Sequence, residues 1–242
     1  MSYRFIMDLH THTTASGHAY STVTENARSA KEKGLEILGT ADHGYGMKKT
    51  TSPAFWRNLK VLPRYLEGVR LLKGVETNLL NRAGDLMEED LLEMTDYVIC
   101  SLHGACYQND TGDQEEYTEA IVHALDRHPQ ITILGHPDDS AYPLDYEQVL
   151  LACQRNHVAV EVNNASLLDG TNRINGVENI KTYLGLCREM DLPIICNTDA
   201  HFSTLVGDFT KTRALLEELK FPEELVINSS WTRLEEYLRF SL

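Results

Sequence analysis

The 242-residue chain contains no uninterrupted apolar stretch approaching 18 residues, which excludes a membrane-spanning helix. Its opening, MSYRFIMD, lacks the apolar centre of a secretory leader and runs directly into a strand pattern. A cytoplasmic protein with no membrane partner is therefore expected. Cysteine is scarce and odd in number: Cys100, Cys106, Cys153, Cys187 and Cys196, with no CxxC pair. Neither a disulfide framework nor a thiolate zinc site is supported, and the thiols read as reduced and buried. Basic side chains are outnumbered 22 to 36, giving a net charge of −14. That sign repels phosphate backbones and argues against nucleic acid as a primary partner. Bound divalent cations would reverse the field locally, so a small anionic substrate stays open. Low-complexity tracts, Ser/Gly linkers and repeats are also missing. With 42% hydrophobic and 24% charged residues, one globular domain over 1–242 with a sizeable core is expected.

What the chain does have is one recurring pattern: an apolar β-rich run, a polar cluster, then a helical stretch. The runs are YRFIMDLH (3–10), LEILGTADH (35–43), RLLKGVET (70–77), DYVICSLHG (96–104), ITILGHPD (131–138), HVAVEVNN (157–164) and LPIICNTDAH (192–201). TVTENARSAKEKG, AFWRNLKVLPRYLEG, EEDLLEMT, DQEEYTEAIVHALDR, DYEQVLLACQRN and NGVENIKTYLGLCREM read as helices between them. Continuous apolar strands alternating with helices predict a parallel sheet covered on both faces. Each run ends in a polar residue: His10, His43, Glu76, His103, His136, Glu161 and Asp199. Barrels of βα units gather their sites at that end from many strands, whereas an open sheet uses few. The expected fold is α/β, a distorted (β/α)7 TIM-like barrel in a single domain.

Seven of the ten histidines follow apolar runs: His10, His12, His18, His43, His103, His136 and His201. His123, His128 and His157 fall in helices or at a helix–strand junction. With Glu76 and Asp199 the seven form nine candidate metal ligands. Imidazole with carboxylate suits Zn, Mn or Fe, and nine donors call for two or three ions. In DLHTHT, strand alternation would line up Asp8, His10 and His12 on one face. Asp8 and Asp42 are then candidates to orient ligand imidazoles. Glu161 either ligates or hydrogen-bonds in the barrel mouth.

DLHTHT, ADHG (41–44), GVE (74–76), SLHG (101–104), GHP (135–137) and TDAH (198–201) resemble the successive motifs of the PHP superfamily of polymerase and histidinol phosphatase phosphoesterases. HTHTTASGHAYST, EVNNAS and the closing Phe221-Pro222-Glu223-Glu224 are similar to its YcdX-like phosphatase group. The resemblance implies three divalent ions, zinc first and manganese or iron as alternatives. His10, His12, Glu76 and Asp199 would surround one, Glu76 would bridge to a second held by His103 and His136, and His18, His43 and His201 would hold a third. SLHGACY is tighter and more polar around His103 than the apolar-flanked versions associated with the group.

The chemistry implied is hydrolysis of a small-molecule phosphate monoester by a hydroxide activated at a trinuclear metal cluster, with Glu76 and Asp199 as catalytic residues. The leaving group needs an acid, for which Asp199 or a metal-held water is the candidate. Arg173, in TNRING, is a candidate cation for a phosphate tail, the other reading being a solvated loop charge. The alternatives are a histidinol-phosphate phosphatase and a non-catalytic, metal-stabilised PHP interaction module. Loss of ligands would support the module, and none is lost. A homo-oligomer is compatible with all three.

Overall fold

The computed structural model describes residues 3–45, 47, 50–109 and 111–238; the ends of the expected domain, 1–2 and 239–242, lie outside them. In chain order its elements are β1 (Met7–Asp8), α1 (Val23–Glu32), β2 (Ile37–Thr40), α2 (Pro53–Arg57), β3 (Tyr65–Leu66), β4 (Val69–Asn78), β5 (Tyr97–Ser101), α3 (Gln114–Arg127), β6 (Ile133–Leu134), α4 (Tyr146–Asn156), β7 (Ala159–Asn163), α5 (Gly176–Glu189), β8 (Ile194–Asn197), α6 (Thr210–Leu219) and α7 (Trp231–Glu235). Seven strands run parallel in the order β1-β2-β4-β5-β6-β7-β8, and the short β3 pairs antiparallel with β4. The sheet curls until β8 lies beside β1, a barrel closed except for one seam.

That seam is stitched by side chains and loops instead of a ladder. Thr11 and Ala200 form one isolated bridge, and the Leu9 N–H donates to Asn197 Oδ1 at 2.9 Å. Lower down, the Asn228 amide accepts from the Cys196 N–H and donates to the carbonyls of Cys196 and Met7. A buried amide can satisfy both edges at once because it carries donors and acceptor together.

Inward positions follow the strand period of two. Met7, Leu9, Ile37, Leu72, Ile99, Ile133, Ala159 and Ile195 form the inner layer, capped underneath by Ile227 and Leu234. Tyr97 crosses the lumen, fully buried, and donates to the carbonyls of Leu9 (2.5 Å) and Thr40 (3.2 Å). Gly39 and Gly74 make room for it, since a Cβ at either would stand 2.2 Å from a Tyr97 atom. The larger outer layer packs the opposite strand faces against the helices.

Three local expectations come out differently. AFWRNLKVLPRYLEG divides into α2, a 3-10 turn at Leu59–Val61 and β3, because Pro63 disfavours helix at the residue before it. EEDLLEMT forms only the 3-10 turn Leu92–Met94: it is short, and its acids crowd one another along a helix. The apolar face of α6, absent from the sequence reading, covers the sheet through Leu215 and Leu216.

Candidate metal centre

All nine sequence-predicted donors meet at the carboxyl-terminal mouth, where loops leave the strands. The strand alternation expected for DLHTHT breaks at Leu9. β1 ends at Asp8, and the Leu9 N–H and C=O are taken by the Asn197 and Tyr97 side chains. His10 therefore turns into the lumen while Asp8 faces the seam. There it accepts from the Thr198 N–H (3.1 Å) and hydroxyl and from the Gly207 N–H (2.9 Å), and meets no imidazole. Burial pushes the Asp8 carboxyl up to about 6 despite these bonds.

Glu76, at 1% exposure, is the hub. Its Oε1 lies 2.9 Å from His136 Nε2, 3.4 Å from His10 Nε2 and 3.5 Å from His103 Nε2. Its Oε2 lies 2.7 Å from His43 Nδ1 and 3.6 Å from His12 Nε2. Asp199 Oδ1 stands 3.0 Å from His12 Nε2 and 3.5 Å from His10 Nε2. His18 Nε2 is 2.9 Å from His201 Nε2 and 3.3 Å from His43 Nε2. Donor atoms close enough to share an ion group as His10–His12–Glu76, His43–Glu76–His103 and His12–His43–His201. His43 thus stands with two groups, where the resemblance implies one.

The hydrogen-bond partners set the imidazole tautomers. Each of four rings has an acceptor at Nδ1: Glu161 Oε1 for His10 (2.8 Å), Ser16 Oγ for His12 (3.0 Å), Asn78 Oδ1 for His103 (2.7 Å) and the Asp199 carbonyl for His201 (2.9 Å). With the proton held there, each Nε2 lone pair faces the centre, as metal-binding histidines require. Ser16 Oγ itself donates to Asp42 Oδ1 at 2.6 Å, so Asp42 acts on His12 through a hydroxyl. Glu161 Oε2 accepts from the His136 N–H, in a backbone of positive φ. His136 is the exception: Arg173 Nη1 donates to its Nδ1 at 2.7 Å, leaving the Nε2 hydrogen for Glu76.

Two observations fit this cradle to cations. His10 Nε2, His43 Nδ1 and Glu76 Oε2 are buried polar atoms without an aligned hydrogen bond, the last two merely facing each other at 2.7 Å, a costly state unless something else satisfies them. Three carboxylates, Glu76, Glu161 and Asp199, also surround His10. Burial alone would raise Glu76, but His43, His10 and His103 hold it well below the usual carboxylate range. Asp199 behaves likewise, its burial overcome by His10 and His12. His12 is pushed well down by burial and by His43, and burial takes His103 down to about 3. Burial would lower His10 and His43, yet Glu161, Asp199 and Glu76 hold His10 well above the usual imidazole range, and Glu76 holds His43 above it. Imidazole with ionised carboxylate is a donor set for hard to borderline divalent ions.

Sequence reasoning passed over Ser16, Asn78, Asn163 and Asn197, which hold the ligands in place. Asn78 had a signal, standing two residues after Glu76 on the same strand face. Asn163 donates to both Glu161 and Asp199 at 3.2 Å, a pairing no spacing reveals. His123, His128 and His157 bond the backbone carbonyls of Arg82, Gly84 and Glu236 and stay outside the centre.

Comparison with known proteins gives the family and the fold. A family model described as PHP domain matches residues 8–167. A probable phosphatase of Acetivibrio thermocellus is 40% identical over 98% of this chain and 96% of its own length. Another from Clostridium novyi is 39% identical over 98% and 95%. Among solved structures, a histidinol phosphate phosphatase from Lactococcus lactis, complexed with zinc, L-histidinol and phosphate, aligns with a TM-score of 0.64. It covers 89% of this chain and 94% of its own at 17% identity, a likeness of fold. An organophosphorus hydrolase variant from Deinococcus radiodurans aligns with a TM-score of 0.51 at 12% identity, over 98% of this chain and 92% of its own.

Proposed function

Because the chain belongs to the PHP-domain family, we propose that it is a metal-dependent phosphatase hydrolysing a small-molecule phosphate monoester. The observation that carries this reading is the convergence of buried, ionised Glu76 and Asp199 with imidazoles whose Nε2 lone pairs face inward. Relatives named as phosphatases along nearly the whole length support the reaction class. The domain is read as running beyond residue 167, since Asp199 and His201 complete the donor set.

Three ions are assigned to His10–His12–Glu76–Asp199, to Glu76–His103–His136 and to His18–His43–His201, with zinc the first choice. Bound there, divalent ions lower the pKa of water and spread charge from the phosphoryl oxygens. The chain's own residues do the rest. Glu161, Ser16 and Asn78 fix ring orientation, and Asn163 holds the Asp199 carboxylate. Arg173 is the phosphate-positioning cation. A ligating His136 Nε2 requires the ring hydrogen at Nδ1, which excludes the present Arg173 donor. Arg173 then needs another acceptor, and a phosphate oxygen supplies one. All five cysteines are free thiols, consistent with a reducing cytoplasm, where we place the protein.

The test is turnover of p-nitrophenyl phosphate by metal-stripped protein reconstituted with Zn²⁺ or Mn²⁺. Hydrolysis that depends on the ion is expected. Bound metal without turnover of any ester would replace this reading by the non-catalytic module.

A further inference from the structure

Hydrolysis of an ester whose alcohol is a poor leaving group needs a proton at the bridging oxygen, and the donor set above contains none to spare. Asp199 Oδ2 accepts from Asn163, while Asp199 Oδ1 and Glu76 face the imidazoles that would share their ions. The source must lie beside the centre. A cleft of about 430 Å³ opens there, between the loop after β5 and the loops after β6 and β7, with His103, Tyr142 and Arg173 in its wall.

Its other polar walls are poor donors. Arg173 keeps its charge at any relevant pH, and Thr171 and Asn172 are too weakly acidic. Asp139 Oδ1 accepts two backbone N–H groups, from Ala141 (2.9 Å) and Ile174 (3.0 Å), and so ties two loops together. Tyr142 differs. Its hydroxyl oxygen accepts the Gly104 N–H at 2.9 Å, and among the described residues no acceptor takes its proton. Nearby tyrosines spend theirs: Tyr107 donates to Glu116, Tyr117 to the Asn109 carbonyl and Tyr146 to the Pro137 carbonyl. The Tyr142 ring is seated edge-on against Tyr117, with centroids 5.4 Å apart. The fit with Gly104 is close enough that a Cβ there would lie 2.4 Å from the hydroxyl. This explains the compact SLHGACY stretch: Gly104 directly follows His103 because Tyr142 occupies the space a side chain would need.

We infer that Tyr142 is a catalytic residue, the general acid that protonates the leaving oxygen; this rests on the phosphatase reading above. Water attacks phosphorus, and one of its protons stays on the new phosphate while the other passes to solvent. The bond from phosphorus to the ester oxygen breaks, and its electron pair remains on that oxygen, which takes the Tyr142 proton. The phenolate left behind is held by the Gly104 N–H and regains a proton from solvent. Alcohol and inorganic phosphate are the products, with all protons accounted for.

The experiment compares Tyr142→Phe with wild type, both metal-loaded, on phenyl phosphate and p-nitrophenyl phosphate. The two esters share a shape and differ in how readily the phenol departs as an anion. General acid catalysis is worth about 100-fold or more where protonation matters. The expected loss is therefore about 100-fold on phenyl phosphate and under tenfold on p-nitrophenyl phosphate, with a steeper dependence of kcat/KM on leaving-group acidity. Gly104→Ala, which pushes the hydroxyl aside, should show the same selectivity if Tyr142→Phe does not fold. Equal losses on both esters, or no loss on either, would overturn the assignment and leave Tyr142 a loop support. Hydrolysis of neither ester by loaded wild type would overturn the phosphatase reading and this inference with it.

Discussion

Strand β4 shows in miniature how the two ends of the barrel differ. Leu72, Gly74 and Glu76 all face the lumen, two residues apart. Leu72 packs in the apolar plug, Gly74 yields its space to the Tyr97 ring, and Glu76 sits under at least five imidazoles. β7 repeats the change from Ala159 to Glu161 and Asn163, and β8 from Ile195 to Asn197. Tyr97 marks the level at which it happens. Below it, burial removes apolar surface from water and stabilises the fold. Above it, burial takes carboxylates and imidazole lone pairs out of water, a cost that bound cations would offset. One set of strands therefore carries a stabilising end and an end whose burial is costly.

The largest effects should separate the two ends cleanly. His10→Ala at the mouth should take phosphatase activity to background while circular dichroism keeps the folded spectrum; retained turnover would break the comparison at its upper end. Leu72→Ala, four residues below Glu76 on the same face, should cost about 2–5 kcal/mol of stability. Its kcat with saturating metal should stay close to wild type. A Leu72 variant that folds as stably as wild type would show that the plug is not where stability resides.

How much of this was legible beforehand also divides at Tyr97's level. The donors were readable because each strand hands one polar residue to the mouth and the spacing repeats. The apolar runs were readable for the same reason. What the strand pattern could not show was where it fails. The Asp8–His10 alternation breaks because Asn197 and Tyr97, 188 and 88 residues from Leu9, take its backbone groups. Asn228 is likewise silent in sequence, yet it spans the seam. Glu161, left open between ligand and hydrogen-bond partner, is placed against His10 Nδ1 by a fold that spacing alone does not specify. Local periodicity reports an element's faces; contacts across the barrel decide which groups meet.

If the upper end is destabilising when bare, metal should stabilise the whole molecule. Zn²⁺ at about 100 times its dissociation constant should add about 2.7 kcal/mol, read by calorimetry against chelator-treated protein. An unfolding temperature indifferent to Zn²⁺ and Mn²⁺ would mean that the buried charges are satisfied within the protein. Glu161→Gln sharpens the point. It keeps an oxygen at His10 Nδ1 but removes one charge, so metal affinity should fall about 10–100-fold by competition titration, with the fold retained. Unchanged affinity would reduce Glu161 to a barrel-mouth hydrogen bond.

The smallest effect belongs to Arg173, which touches both parts of the mouth. Its guanidinium donates to His136 Nδ1 at 2.7 Å and lies 3.7 Å from Asp199 Oδ2, with the side chain 18% exposed. Were it only a counter-charge for the buried acids, Arg173→Lys would restore what Arg173→Ala loses. As a phosphate-positioning group it presents a planar fork that a lysine ammonium cannot copy. Both variants should then raise KM and weaken inhibition by inorganic phosphate, by about tenfold, the equivalent of about 1.4 kcal/mol. Metal content should hold constant in each. Full rescue by lysine would return Arg173 to the electrostatics of the buried end, and loss of metal from the alanine variant would make it part of the cradle instead.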